Sequence, residues 1–216
     1  MREFWRQVFG NPHPVEVEIG PGTGTFILSA AQQLRHVNFL GIEHSCARAF
    51  HLEKAAVSRG LDNARVINAD ATCIVRNFIP PRSIAAYHIY FPDPWWKRRH
   101  HRRRLFTPEF VQALARTIAP GAPLHVATDV GDVFDLIEET VQSAGGFARL
   151  AGARSPRCGL TAFERKGLAR GAVIHEATYV REGAAPRQVN IAAPITPAES
   201  PSWLRRSGVS SSSLNT

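Results

Sequence analysis

An aspartate set between two prolines, Pro92-Asp93-Pro94, is followed by Trp95, Trp96 and a cationic run. In that run Lys97, Arg98, Arg99, Arg102, Arg103 and Arg104 surround His100 and His101. Proline locks its own φ and restricts the residue before it, so the Asp93 carboxylate is held in one place, as a preorganised charge must be. Cationic side chains beside aromatic faces suit phosphate contact together with stacking on an unstacked base. A solvated charge run beside buried tryptophans is the other reading of the same residue types.

A second group of residues could hold a small ligand. Glu18 leads into Gly20-Pro21-Gly22-Thr23-Gly24, a glycine turn that lets a ligand approach the backbone because no side chains block it. The spacing is G-x-G-x-G and not the G-x-G-x-x-G of dinucleotide binders. Glu43, 19 residues after Gly24, stands where a carboxylate can accept hydrogen bonds from both ribose hydroxyls of an adenosine. Asp70 stands where a polar side chain can meet the adenine edge. Glu18 itself could reach a cationic ammonium. Taken singly, Glu43 and Asp70 are equally well read as helix caps or solvated loop ends.

These residues need a frame. Val15 to Ile19 alternates apolar and acidic residues and is read as a strand; Phe26, Ile27, Ala30, Ala31 and Leu34 then recur at helical spacing. Further strands are predicted over Val37 to Ile42, Ala64 to Ile67, Ile84 to Phe91 and Leu124 to Ala127. Helices are predicted from about Ala47 to Ser58, after the Thr107-Pro108 cap through Phe110, Leu114 and Ile118, and through Val130, Phe134, Ile137 and Val141. Alternating strands and helices predict an α/β chain with a mostly parallel, doubly wound sheet and helices on both faces. Ligands bind beyond the carboxyl ends of such strands, which is where Gly20, Glu43, Asp70, Asp93 and Asp129 fall.

Composition narrows the partners. The 216 residues are 44% hydrophobic, enough for one core, and carry 26 lysines and arginines against 18 acidic residues, a formal charge of +8. A basic surface favours nucleic acid ahead of membrane. Cys46, Cys73 and Cys158 have no disulfide or zinc-like spacing, so no metal is expected and a reducing, cytoplasmic setting is. No apolar run is long enough to span a bilayer and no signal peptide is read at the N-terminus. After about Arg181 the chain turns rich in Ala, Pro and Ser and is expected to be a disordered tail.

The segment from His88 to Leu105, with its Phe91-Pro92-Asp93-Pro94-Trp95 loop and basic run, resembles the signature of the bacterial tRNA (guanine-N7)-methyltransferases, the TrmB family. Thr161-Ala162-Phe163-Glu164 resembles the family's Thr-x-x-Glu element, and Asp129 matches the acidic residue after the fifth strand. Exocyclic-amine methylases are similar in carrying an Asn/Asp-Pro-Pro-aromatic loop at this place, an order this chain lacks. The resemblance implies a Rossmann-like class I S-adenosylmethionine methyltransferase domain over 14–181, between an N-terminal extension (1–13) and the tail (182–216). It implies S-adenosyl-L-methionine as cofactor, held by Glu18, Gly20, Gly22, Gly24, Glu43, Asp70 and Asp93. It implies tRNA as partner, methylated at a variable-loop guanosine, with Asp93 catalytic and Lys97, Asp129, Thr161 and Glu164 at the target nucleotide. Arg98, Arg99, His100, His101, Arg102, Arg103 and Arg104 would meet RNA, and the chain would act as a monomer or homodimer. Trp96 stands where the family commonly has proline. The competing readings are a non-catalytic RNA-binding protein on the same fold, or a methyltransferase acting on another RNA or a small molecule.

Overall fold

The structure is a computed structural model that describes residues 2–94, 104–153, 155–156, 164 and 171–183. Its elements run α1 (Arg2–Phe9), β1 (Val15–Ile19), α2 (Thr25–Gln33), β2 (Asn38–Glu43), α3 (Cys46–Ser58), β3 (Ala64–Asn68), α4 (Ala71–Asn77), β4 (Ile84–Tyr90), α5 (Pro108–Thr117), β5 (Pro123–Thr128), α6 (Gly131–Ala144), β6 (Phe147–Arg149) and β7 (His175–Arg181). One seven-stranded sheet has the order β3-β2-β1-β4-β5-β7-β6. The first five of these strands pair in parallel, whereas β7 lies antiparallel to β5 and β6 antiparallel to β7.

Strand periodicity sorts the side chains onto two faces. Val15, Val17 and Ile19 join Leu40, Ile42, Tyr87, Ile89, Leu124 and Val126 in one core, closed by α1, α4, α5 and α6. Phe39 and Ala64 face the other way, into a smaller core with Phe26, Ile27, Leu52 and Ala56 of α2 and α3. A central parallel strand covered on both sides has no solvent face. That is why Glu18, though polar by pattern, is buried.

Local signals account for several ends. The Thr107 hydroxyl accepts from the Phe110 amide with Pro108 in the first turn of α5, as the sequence predicts, and Ser45 caps α3 in the same way. Four elements go beyond the sequence reading. The segment expected as an N-terminal extension contains helix α1, whose Trp5 and Phe9, one turn apart, are buried in the main core. Helix α4 is a two-turn piece started by Asp70, and β6 and β7 complete the sheet.

Candidate functional site

The register of the parallel strands brings the carboxyl ends of β1 to β5 to one edge. Ile19 pairs with both Ile42 and Ile89, Glu43 with Asn68, and Tyr90 with Ala127. The glycine loop therefore lies between the loops that follow β2 and β4. Gly20 and Gly22 both have left-handed backbone (φ 68° and 56°), and an added Cβ would meet nothing within 4 Å at Gly20 and only a backbone oxygen at 3.9 Å at Gly22. The space above these two is open, as a cradle for a ligand requires. Gly24 differs: a Cβ there would run into Leu52 and lie 3.2 Å from Leu28, so it is glycine for packing.

Glu43 ties this cradle to β2. Its Oε2 accepts from the Gly22 amide at 3.1 Å, and Oε1 accepts from the Ser45 amide at 2.8 Å and from Arg48 Nε at 3.2 Å. The carboxylate is buried while most of the Arg48 side chain is exposed. A carboxylate offers about four acceptor directions, so one is left for a ligand hydroxyl.

Glu18 lies behind the loop, 5% exposed, and its Oε2 is buried with no hydrogen-bond partner among the described residues. Burial pushes its pKa up to about 8; the Ile27 amide pulls it down and the Glu43 charge adds to the rise. An unpartnered acceptor at this depth is the complement of an ammonium group. Because its folded pKa lies above the ordinary 4.5, the stability tied to this group is fully present below pH 4.5 and is lost as pH rises toward 8. Glu18→Gln is expected to be the more stable protein without ligand at neutral pH, by on the order of 2–3 kcal/mol. Urea denaturation across pH 4 to 9 checks this: the gap should close toward pH 4, and a gap independent of pH would mean that Glu18 titrates alike in the folded and the unfolded chain.

Asp70 is exposed, and its Oδ1 accepts from the Cys73 amide at 2.8 Å. It caps α4, and its place beside the end of β3 is the one expected for it. Asp93 is exposed on the loop after β4. That loop is aimed by Phe91, which holds φ 51° and donates its amide to the Ala127 carbonyl at 2.7 Å. A non-glycine residue in this region costs of order 1–3 kcal/mol and is kept where surrounding structure imposes it. Sequence reasoning had no signal for this turn beyond the proline that follows. Asp129 is half-buried at the end of β5, and Glu164 is buried. Arg104 is described, whereas Lys97, Arg98, Arg99, His100, His101, Arg102, Arg103 and Thr161 lie outside the described residues, as do Trp95 and Trp96.

A buried polar layer beside the site was not foreseen. His88, stacked on His125 at 5.2 Å, bonds Glu16 through Nε2 and the Tyr90 hydroxyl through Nδ1, both at 2.9 Å. Desolvation, and then the His88 charge, hold His125 well below its ordinary pKa.

Residues 12–177 match the family model described as "Putative methyltransferase". A tRNA (guanine-N(7)-)-methyltransferase of Streptomyces avermitilis is 37% identical over 184 residues, covering 81% of this chain and 62% of that one. The protein of the same description from Halorhodospira halophila is 36% identical over 177 residues, covering 80% and 77%. The chain thus spans between about three fifths and three quarters of the length of these relatives. Among solved structures, the 16S rRNA methyltransferase KamB superposes with a TM-score of 0.59 at 17% identity, over 85% of this chain and 94% of its own. A [4+2]-cyclase, SpnF, reaches 0.56 at 14%, over 80% and 76%. Likeness at these identities concerns the fold alone.

Proposed function

The chain belongs to the family of tRNA (guanine-N(7)-)-methyltransferases, and on that premise we propose that it methylates N7 of a guanosine in the variable loop of tRNA. Its fold is the Rossmann-like class I fold of S-adenosylmethionine methyltransferases. The observation that carries the reading is the meeting, at one sheet edge, of an open glycine cradle backed by the unpartnered Glu18 oxygen and the Asp93 loop turned by Phe91.

The residues present fit the methyl donor. Gly20 and Gly22 leave room for close approach, Glu43 has acceptor capacity for ribose, Asp70 borders the adenine side, and Glu18 offers an acceptor to the amino-acid ammonium. When bound, S-adenosylmethionine supplies a methyl on a cationic sulfur. Guanine N7 carries a lone pair and no proton, so the chain need provide no strong general base. What it must provide is alignment, exclusion of water, and negative charge beside a purine that becomes cationic. Asp93 holds the guanine and faces that growing charge. Lys97, Asp129, Thr161 and Glu164 contact the target nucleotide, and the cations from Arg98 to Arg104 take the phosphates. No helix among the described residues is long and apolar enough to cross a membrane; a cytoplasmic monomer or homodimer goes with this reading.

Labelled methyl transfer to unmodified tRNA, mapped by cleavage chemistry specific for N7-methylguanine, tests the proposal. The expected product is a single cleavage in the variable loop. Label at another atom, or in no tRNA at all, would reject it.

A further inference from the structure

Among the described residues, those around Glu18 offer it no counter-charge. In the parallel sheet Glu18 stands in register with Gly41 of β2 on one side and His88 of β4 on the other. Gly41 contributes no side chain, and the space a Cβ would take there is closed by Ile27 and Pro21, each 3.1 Å away. Helix α2 and the glycine loop before it contain no lysine, arginine or histidine. His88 has both ring nitrogens engaged, with Glu16 of β1 and with the Tyr90 hydroxyl at 2.9 Å each, and His125 of β5 bonds Thr178 at 3.0 Å. From the end of β2 comes a second carboxylate, Glu43, and the cation beside it, Arg48 of α3, is bound to Glu43 Oε1 at 3.2 Å.

An ionised carboxylate in such a place has lost its water and gained no cation in exchange, so the neutral acid is the stable form until a cation arrives. That is why its pKa is pushed up to about 8. The cation that fits the cradle in front of it is the α-ammonium of the methyl donor. As this group reaches the buried, unpartnered Oε2, attraction favours the carboxylate and the acid loses its proton. The charges balance: the neutral acid and the donor's ammonium come together, a carboxylate–ammonium pair remains in the cradle, and one proton passes to solvent.

We propose that Glu18 exchanges a proton for the donor: it is a neutral acid in the free protein and ionises as the ammonium docks, which distinguishes ligands with an amino-acid end from those without one. This rests on the methyltransferase reading above. Methyl transfer removes the charge on sulfur and leaves the ammonium as it was, so donor and demethylated product release the same proton on binding. Calorimetry of S-adenosylhomocysteine binding in buffers of different ionisation enthalpy reads that proton directly, at pH 6 to 7 where the ligand's own ammonium, with a pKa of about 8, stays charged. Close to one proton should be released, and affinity should rise nearly tenfold from pH 6 to pH 7. 5′-Methylthioadenosine keeps the adenosine and lacks the amino acid, so it should bind with no proton released and no pH dependence over that range. Glu18→Gln should release no proton with either ligand. In ligand-free wild-type protein, carbon-13 spectra of labelled glutamate should show a carboxyl titrating near pH 8 that disappears in Glu18→Gln. Binding of S-adenosylhomocysteine without proton exchange, equal release with methylthioadenosine, or no glutamate carboxyl titrating above pH 7 would each overturn the proposal. A chain that binds neither nucleoside would instead overturn the methyltransferase reading, with the spectra still deciding the charge of Glu18.

Discussion

Asp93→Ala should lower single-turnover methyl transfer to tRNA by roughly 10²-fold or more while tRNA binding survives, because it removes a preorganised charge and no phosphate contact. The loop is costly to build: Phe91 is held at φ 51° and prolines stand on both sides of the aspartate, so the carboxylate is presented on a stiff support at the sheet edge. Asp93→Asn separates charge from shape. If the carboxylate acts by facing the cationic purine, the amide should recover little of the rate even though it can still hydrogen-bond. Quench-flow transfer at saturating donor, with filter binding of tRNA, reads both quantities. Wild-type turnover in Asp93→Ala would remove this residue from the reaction.

The second large effect is expected on stability. Gly24→Ala would place a methyl group into Leu52 and against Leu28, in a helix start with φ 76° that L-residues avoid. Overpacking costs about 1–3 kcal/mol and the backbone conformation about 1–2 more, so a loss of roughly 2–5 kcal/mol is expected. At this chain length that is a fall of roughly 5–15 °C in the thermal midpoint. Gly20→Ala has open space above it and should cost only the backbone strain, yet it puts a methyl group where the ligand must approach. Scanning calorimetry beside donor-binding calorimetry separates the two: Gly24→Ala should lose mainly stability and Gly20→Ala mainly donor affinity. Equal profiles for the two variants would mean that the three glycines serve one purpose.

Much of the frame was legible because it is written in short periods. Two-residue alternation in Val15 to Ile19, helical spacing after Thr25, and the Thr107-Pro108 cap each involve a handful of neighbouring residues, and the structure places elements close to the predicted bounds. Helix α1 escaped notice because its burial depends on Trp5 and Phe9 finding a core made by residues far along the chain. Helix α4 is only seven residues long, with few apolar positions to show a period. Strand β7 sits between β5 and β6, an insertion that nothing local to 175–181 announces.

The candidate site divides in the same way. Glu18, the three glycines, Glu43, Asp70 and Asp93 could be named from residue type and spacing, since each belongs to a turn or strand end recognisable within a few residues. Sheet order decided the rest. It buried Glu18, which raises its pKa, and left one of its oxygens without a hydrogen-bond partner among the described residues. It also joined Glu16 to His88 and Tyr90 to Ser155, across 72 and 65 positions of chain. Sequence by itself determined which groups stand ready for chemistry, because local backbone preferences and side-chain periodicity act over a few residues. Only the tertiary structure decided which of them are desolvated, paired or left wanting a partner, because dielectric surroundings and long-range hydrogen bonds exist only once distant strands lie side by side.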